Sequence, residues 1–203
     1  MGLREEKKAA TRTALSDIAT TLFTERGFDA VTVAEVAAAA RVSINTVFNY
    51  FPTKEDLFFD HQDTVINRLA TAARTGGAAG VRDAFLTSLQ QDEVTLGLSK
   101  EAAGFWAVVD GSPALQARLR HISEQAEEAL AEALGGTAEA RITAAIVAGI
   151  DRALHAEIRR RVQAKEAPEA IKKSITDLAN KAYAQITTHH QPGGPLRDRQ
   201  PPP

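Results

Sequence analysis

The fold of this chain is decided by the stretch TVAEVAAAARVSINTVFNYF, residues 32–51. Its first four residues have the pattern of a capping box, in which a Thr hydroxyl and a Glu three residues later each accept the other residue's backbone N–H. Val31 and Val36 flank this cap as a hydrophobic staple, an apolar contact that fixes how the chain enters a helix. We therefore predict a short helix over residues 33–40.

A second cap follows after a tight turn. Ser43 is placed to cap another helix, and Val42 with Val47 repeats the staple arrangement. Two short capped helices that are separated by a tight turn form a helix-turn-helix motif. Upstream, residues 14–23 carry an apolar stripe at helical spacing, and Gly27 stands where such a helix is expected to end. The N-terminal part is therefore predicted to hold three helices.

Downstream, helical spacing of apolar residues continues and no stretch keeps a period of two. Pro52 breaks the pattern, and Thr53 caps a predicted longer helix whose inward positions are Leu57, Phe58, Val65 and Leu69. We predict an all-α fold of about nine helices. The breaks between these helices are expected at Gly27, 41–43, Pro52 and Thr53, Gly76 and Gly77 with Gly80, 111–113, Gly135 and Gly136, and Pro168.

Composition excludes several kinds of protein. Of the 203 residues 44% are hydrophobic, enough for a packed core, and the absence of cysteine excludes disulfides and thiolate zinc sites. The charged N-terminus and the lack of a long apolar run lead us to expect neither secretion nor membrane insertion, and so a cytoplasmic protein. No catalytic or phosphate-cradling motif occurs, so we expect no enzyme and no cofactor. The pair His189 and His190 lacks further ligands at useful spacing, so no metal is expected.

A set of motifs over about fifty residues closely resembles the N-terminal domain of the TetR family of transcriptional regulators. The matching positions are Leu22-Phe23, Gly27-Phe28, Thr32-Val33, Val36-Ala37, Val42-Ser43 and the run from Phe48 to Leu57. The resemblance implies a helix-turn-helix DNA-binding domain over residues 1–53 and a larger helical domain for ligand binding and dimerisation over residues 54–190. Residues 191–203 have the composition of a disordered tail.

Two departures from the family pattern concern the turn and the second helix of the motif. The family usually has glycine where this chain has Arg41, so the turn is either strained, at a cost of roughly 1 to 2 kcal/mol, or shaped differently. The family often has glycine and tyrosine where this chain has Asn45 and Phe48. Asn45 offers an amide to a base edge, whereas Phe48 lacks the hydroxyl that would reach a phosphate.

Side chains at the start of a recognition helix meet base edges in the major groove. We therefore expect base contacts from Ile44, Asn45, Thr46 and Asn49. Phosphate contacts are expected from Thr32, Arg41, Ser43, Tyr50 and Lys54, with Phe48 on the same surface, and Lys7, Lys8 and Arg12 are candidates for the backbone or minor groove. The formal charge is −2, and residues 1–60 hold seven basic and nine acidic residues, so binding must depend on where the donors lie.

The remaining helices carry apolar residues that fit two interpretations. They either line a ligand pocket or belong to the packed core. The residues concerned are Phe85, Leu89, Leu96, Phe105, Trp106, Val109, Leu119 and Ile122. The last two helices have apolar stripes that include Ile142, Ala145, Ile146, Gly149, Ile150, Ala153 and Leu154, then Ile171, Ile175, Leu178, Ala182 and Ile186. The family resemblance implies that they form a four-helix bundle in a homodimer, although the sequence equally allows packing within one chain.

The predicted function is ligand-controlled repression. A dimer would place two recognition helices about 34 Å apart and require a near-palindromic operator, and a small ligand would release it by moving the helix that starts near Lys54. Two alternatives stay open: a regulator whose C-terminal domain binds a protein partner, and a helical enzyme or ligand carrier with an incidental helix-turn-helix.

Overall fold

The computed structural model describes residues 2–99 and 102–188. Within these ranges the chain folds into nine α-helices and one short 3₁₀ helix, Val94–Leu96, without a strand, which confirms the all-α prediction. The α-helices are α1 Leu3–Arg26, α2 Val33–Ala39, α3 Ile44–Tyr50, α4 Lys54–Phe58, α5 Gln62–Gln90, α6 Ala102–Gly111, α7 Pro113–Ala133, α8 Ala138–Gln163 and α9 Pro168–Thr188. The predicted tail and the His189–His190 pair lie outside the described residues.

Helix α1 ends where the sequence predicts. Gly27 takes a φ of 84°, in the region that favours glycine, and its N–H donates to the Phe23 carbonyl at 2.9 Å. The ring of Phe28 folds back onto Phe23, with 5.0 Å between the ring centroids. The chain therefore leaves α1 and turns towards α2 over an aromatic contact.

The predicted long helix from Lys54 is wrong, because it is broken after one and a half turns. Helix α4 ends at Phe58, Phe59 has the non-helical angles φ −99° and ψ 55°, and α5 begins at Gln62. Leu57, Phe58 and Phe59 are all buried. Successive residues of an α-helix point about 100° apart, so a continuous helix does not direct three consecutive side chains into one core.

The predicted break near Gly76 is a sharp bend inside α5. Gly77 has φ 56° and ψ −144°, and the two halves of the helix meet closely beyond it. A Cβ atom at Gly80 would lie 2.5 Å from the backbone oxygen of Ala72. This approach between the halves requires a residue without a side chain.

Two apolar clusters form the core. The first, the N-terminal cluster, includes Phe23, Val47, Phe58 and Val109, and so joins α1–α4 to α6 and the start of α7. The second, the C-terminal cluster, lies mainly among α5, α7, α8 and α9, and Trp106 packs against both clusters. Helix α4 therefore shares its core with the three helices before it. The division at residue 53 stays a prediction. No helix in the described ranges combines the length and hydropathy that a membrane span needs.

We expect Gly80→Ala to lower the free energy of unfolding by about 1 to 3 kcal/mol, because its methyl group would overlap the Ala72 carbonyl. Gly76→Ala is the matched control. A Cβ at Gly76 meets no atom within 4 Å, so this change should be neutral or stabilise by up to about 1 kcal/mol. Urea unfolding of the two variants measures both effects, and equal losses would contradict the close approach.

Candidate nucleic-acid interface

The caps of the helix-turn-helix are formed as predicted. The Thr32 hydroxyl accepts the Glu35 N–H at 3.2 Å, and Glu35 Oε2 accepts the Thr32 N–H at 2.8 Å. The Ser43 hydroxyl accepts the Thr46 N–H at 3.0 Å at the start of α3. Backbone and side-chain hydrogen bonds to Thr32, together with Arg26, lower the pKa of Glu35 to about 2. The capping box therefore keeps its charged acceptor well below neutral pH.

The turn between α2 and α3 closes with Arg41 in the left-handed conformation, at φ 57°. The Val42 N–H donates to the Ala37 carbonyl at 3.0 Å, across the end of α2, which is the hydrogen bond of a Schellman ending. Glycine is favoured at this position. The turn is thus the strained one of the two shapes that the sequence allows.

The outward face of α3 is partly apolar. Ile44 and Phe48 are 45% and 46% exposed, and Asn45 and Asn49 are exposed on the same side of the helix. Val47 points the opposite way and is fully buried. The surface that α3 offers is therefore two amides beside two large apolar side chains.

Thr46 and Tyr50 are less available than the other residues expected to contact DNA. Both are half-buried, and the Thr46 hydroxyl lies 2.8 Å from the Ser43 hydroxyl in a hydrogen bond. The Tyr50 carbonyl accepts from Arg12 Nη1 at 2.7 Å. Arg12 also donates to the Asp60 carbonyl and lies over the Phe51 ring, so its guanidinium joins α1 to the ends of α3 and α4.

Lys54 has partners within the chain. Its Nζ donates to the Phe28 carbonyl at 2.5 Å and lies 4.1 Å from the centre of the Phe28 ring. Burial lowers the pKa of this ammonium group. A cation in the first turn of a helix is unfavourable, and the sequence suggested a phosphate partner for it. In the structure a carbonyl and an aromatic ring accompany the ammonium group, and the phosphate contact stays a prediction.

The residues expected to line a ligand pocket are divided between the two apolar clusters. The C-terminal cluster contains Phe85, Leu89 and Leu96. The N-terminal cluster contains Val109 and Ile122, and Phe105 and Leu119 pack against it. Trp106 packs against both clusters. One depression of about 470 Å³ lies between the end of α1 and α6, and another of about 480 Å³ lies along α5. None of the eight residues lines either depression. The pocket stays a prediction.

The stripes on α8 and α9 divide into two faces. Leu154, Ile171 and Ile175 are buried within the chain, so this part of the stripes packs internally. Ile142 and Ile146 on α8, with Leu178 on α9, remain 64%, 47% and 39% exposed. The two helices thus leave an apolar outer face.

The N-terminal helices match the sequence profile of a known protein family. Residues 15–60 match the sequence profile described as "Bacterial regulatory proteins, tetR family". Over this N-terminal segment, the chain is similar to the TetR family. The match covers the second half of α1, the helix-turn-helix formed by α2 and α3, and α4.

Two relatives share this TetR domain. The chain is 46% identical over 55 residues to the HTH-type transcriptional regulator LuxR of Vibrio harveyi, covering 27% of this chain and 25% of that protein. It is 44% identical over 50 residues to the HTH-type transcriptional repressor KstR2 of Rhodococcus jostii, covering 25% and 24%. The similarity spans about a quarter of the length of these relatives.

Solved TetR-family structures share the fold over most of the chain. NalD of Pseudomonas aeruginosa, the secondary repressor of the MexAB-OprM multidrug efflux pump, superposes with a TM-score of 0.53 at 18% identity, covering 87% of this chain and 97% of NalD. A TetR-family regulator from Streptomyces coelicolor gives 0.51 at 24% identity, covering 91% and 99%. Nine helices in this arrangement are therefore a TetR-type fold.

Sequence reasoning missed the polar contacts between distant helices, and two of these contacts involve a buried carboxylate. Arg118 on α7 pairs with Asp56 on α4 at 2.7 Å. Arg68 on α5 pairs with Asp151 on α8, where Nη2 lies 2.7 Å from both carboxylate oxygens. The partners are 62 and 83 residues apart in the chain, so no local pattern could have revealed them.

Arg41→Gly should separate the strain of the turn from any contribution to DNA binding. Glycine removes the left-handed strain at this position and adds its own backbone entropy cost, so we expect the free energy of unfolding to rise by about 1 kcal/mol or less. If Arg41 contacts a phosphate, DNA affinity falls in the same variant and the salt dependence of binding becomes shallower. Chemical unfolding and a salt titration of DNA binding measure the two effects. A loss of stability would contradict the strained turn.

Proposed function

We propose that this chain is a DNA-binding transcriptional regulator, a homodimeric repressor that a small molecule releases from a near-palindromic operator. The observation that carries the proposal is the pair of capped helices α2 and α3, joined by a tight turn and presenting an exposed face of α3. The TetR-family match over this segment supports it. So do the names of the two relatives, which are both HTH-type transcriptional regulators.

The proposed base contacts come from the outward face of α3. An Asn amide can pair with adenine through two hydrogen bonds, and this role falls to Asn45 and Asn49. Ile44 and Phe48 are suited to thymine methyl groups, because apolar side chains recognise that methyl in the major groove. Thr46 has a smaller part, since its hydroxyl is already bonded to Ser43.

The proposed phosphate contacts are fewer than the sequence suggested. Arg41 is exposed beside the recognition helix, and Thr32 and Ser43 are exposed at the starts of α2 and α3. Tyr50 is half-buried, and Lys54 would have to release the Phe28 carbonyl to reach a phosphate. A binding surface with few free cations should give a shallow salt dependence, because each neutralised phosphate adds to the slope.

The proposal is tested by measuring binding to duplexes from the neighbourhood of the chain's own coding region, over several salt concentrations. We expect Asn45→Ala to lose roughly 1 to 3 kcal/mol of discrimination between specific and random DNA. Asn67→Ala, an exposed asparagine on α5, should leave it unchanged. Replacing operator thymines with deoxyuridine should weaken wild-type binding, and Phe48→Ala should be less sensitive to this replacement. A chain that prefers no duplex over random DNA at any salt concentration would overturn the proposed function.

The occupant proposed for the outer face of α8 and α9 is a second copy of this chain. Both helices are longer than twenty residues, they pack against each other, and each carries exposed apolar side chains, as a four-helix bundle between two subunits requires. Ile142, Ile146 and Leu178 would be covered in such a dimer. Its symmetry would place two copies of α3 about one DNA turn apart.

Ile146→Glu should weaken dimerisation by about tenfold or more, because it places a charge in the proposed apolar interface. Val94→Glu is the control, since Val94 is an exposed apolar residue on the 3₁₀ helix, outside α8 and α9. Sedimentation velocity over a concentration series reports both. A dimer that is unaffected by Ile146→Glu would exclude this face as the interface.

The proposed small-molecule control acts through the C-terminal helices. The C-terminal cluster is a second core that holds a buried ion pair, Arg68 and Asp151, and α5 runs from this core to the break beside α4. A compound that bound among these helices could therefore change how α4 is held. A thermal-stability screen of metabolites would find such a compound. If a saturating compound left operator affinity unchanged, this control would be absent.

A further inference from the structure

Helix α7 reaches the start of α4 through a polar cluster formed by the buried Asp56 and the half-buried Gln62 and Arg118. Arg118 Nη2 lies 2.7 Å from Asp56 Oδ1 and donates to Gln62 Oε1 at 2.8 Å. Gln62 Nε2 in turn donates to Asp56 Oδ1 at 2.8 Å. Asp56 is only 4% exposed. Three helices therefore meet at one carboxylate, since these residues lie on α4, α5 and α7.

The same carboxylate also caps α4. Asp56 Oδ2 accepts the Thr53 N–H at 3.0 Å, and the Asp56 N–H donates to the Thr53 hydroxyl at 3.2 Å. Burial raises the pKa of Asp56, but the hydrogen bonds from Gln62 and Thr53 and the charge of Arg118 outweigh it, so the net pKa lies below the ordinary value. One oxygen thus belongs to the capping box, and the other faces α5 and α7.

We propose that Arg118 is a positioning residue for the DNA-binding surface, which holds α4 through Asp56 and thereby fixes α1–α4 relative to α7. Helix α4 has only five residues, too few to persist without outside support. It follows α3 after the three residues 51–53. A shift of α7 would consequently be passed through Arg118 to the helix that follows the recognition helix.

The cluster is better suited to fixing an orientation than to adding stability. A buried ion pair loses much of its Coulomb attraction to desolvation, so apolar residues of similar volume are often as stable. Arg118 Nε is buried and has no hydrogen-bond partner among the described residues, which adds a further cost. The cluster supplies directional contacts. The Arg118 guanidinium and the Gln62 amide both donate to one carboxylate oxygen of Asp56, and they fit it in one arrangement.

A second contact from α7 shows that the helix holds the N-terminal helices at two places. Ser112, which caps α7, donates its hydroxyl to Asp29 Oδ1 at 3.0 Å in the loop between α1 and α2. Phe58 of α4 stacks on Phe105 of α6, with 4.4 Å between the ring centroids. Arg118 therefore acts on α4 from a helix that is already anchored to α1–α4 at its start.

The test compares Arg118→Met with Arg120→Met in the full chain. Both changes remove one positive charge from α7, but Arg120 is exposed and makes none of the contacts to Asp56 or Gln62. Methionine at position 118 keeps the apolar part of the side chain and leaves the Thr53–Asp56 capping box in place. Hydrogen–deuterium exchange is followed over residues 32–58 and, as an internal reference, over α8.

We expect Arg118→Met to speed exchange over residues 32–58 by about 5- to 20-fold, with exchange in α8 unchanged. Arg120→Met should leave both regions as they are, and Arg118→Lys should restore part of the protection. Asp56→Asn combined with Arg118→Met should exchange little faster than the faster of the two single variants, because both remove the same contact. Equal exchange in Arg118→Met and Arg120→Met, or acceleration that extends uniformly through α8, would overturn the proposal.

The effect on DNA rests on the proposed function and is measured separately. A duplex selected by the wild-type chain from a randomised pool should bind Arg118→Met about 5- to 20-fold more weakly, while Arg120→Met retains its preference over random DNA. Unchanged affinity for the selected duplex in Arg118→Met would overturn the positioning role. If the wild-type chain selects no duplex, the proposed function fails, and the exchange measurement still decides whether Arg118 holds α4.

Discussion

Helices α2 and α3 have seven residues each, and helices of that length do not persist in water without tertiary support. Their support comes from two sources. The caps at Thr32 and Ser43 satisfy backbone N–H groups that would otherwise lack partners, and Val36 and Val47 are fully buried between the helices and α1. The outward face of α3 can be variable and partly apolar because nothing in the fold depends on it. The remaining residues of α1–α4 fix the position of this face.

Three cationic side chains join these helices to one another and to α7. Arg12 joins α1 to the carbonyl at the end of α3, Lys54 joins α4 to the loop after α1, and Arg118 joins α7 to α4. Arg12 and Lys54 each satisfy a backbone carbonyl at a helix end or in a loop, and Arg118 adds a charged donor to the carboxylate that caps α4. The first sixty residues hold seven basic side chains, and three of them, Arg12, Arg26 and Lys54, are engaged within the chain. Under the proposed function, such a surface recognises DNA mainly through amides, hydroxyls and apolar contacts.

The boundary between the N-terminal and C-terminal parts is a packed core. Phe58 stacks on Phe105, and Val109 belongs to the same cluster as Phe23. The polar cluster around Asp56 lies beside this apolar contact and joins the same helices. Apolar packing of this kind tolerates small shifts at modest cost, whereas hydrogen bonds to one carboxylate oxygen are directional. The polar contacts therefore set the position of α4 relative to α7, and burial of the apolar side chains stabilises the contact between these helices.

The sequence by itself determined the local structure: the capping box at Thr32, the caps at Ser43 and Thr53, the end of α1 at Gly27 and the bend near Gly77. These features arise from residues within four positions of one another, and their chemistry is legible in order along the chain. Only the tertiary structure decided that the helix after Thr53 breaks at Phe59, that Lys54 turns inward and that Arg118 meets Asp56. Each of these depends on side chains brought together from distant parts of the chain, and the energy of burying or pairing them outweighs the local preference that the sequence displays.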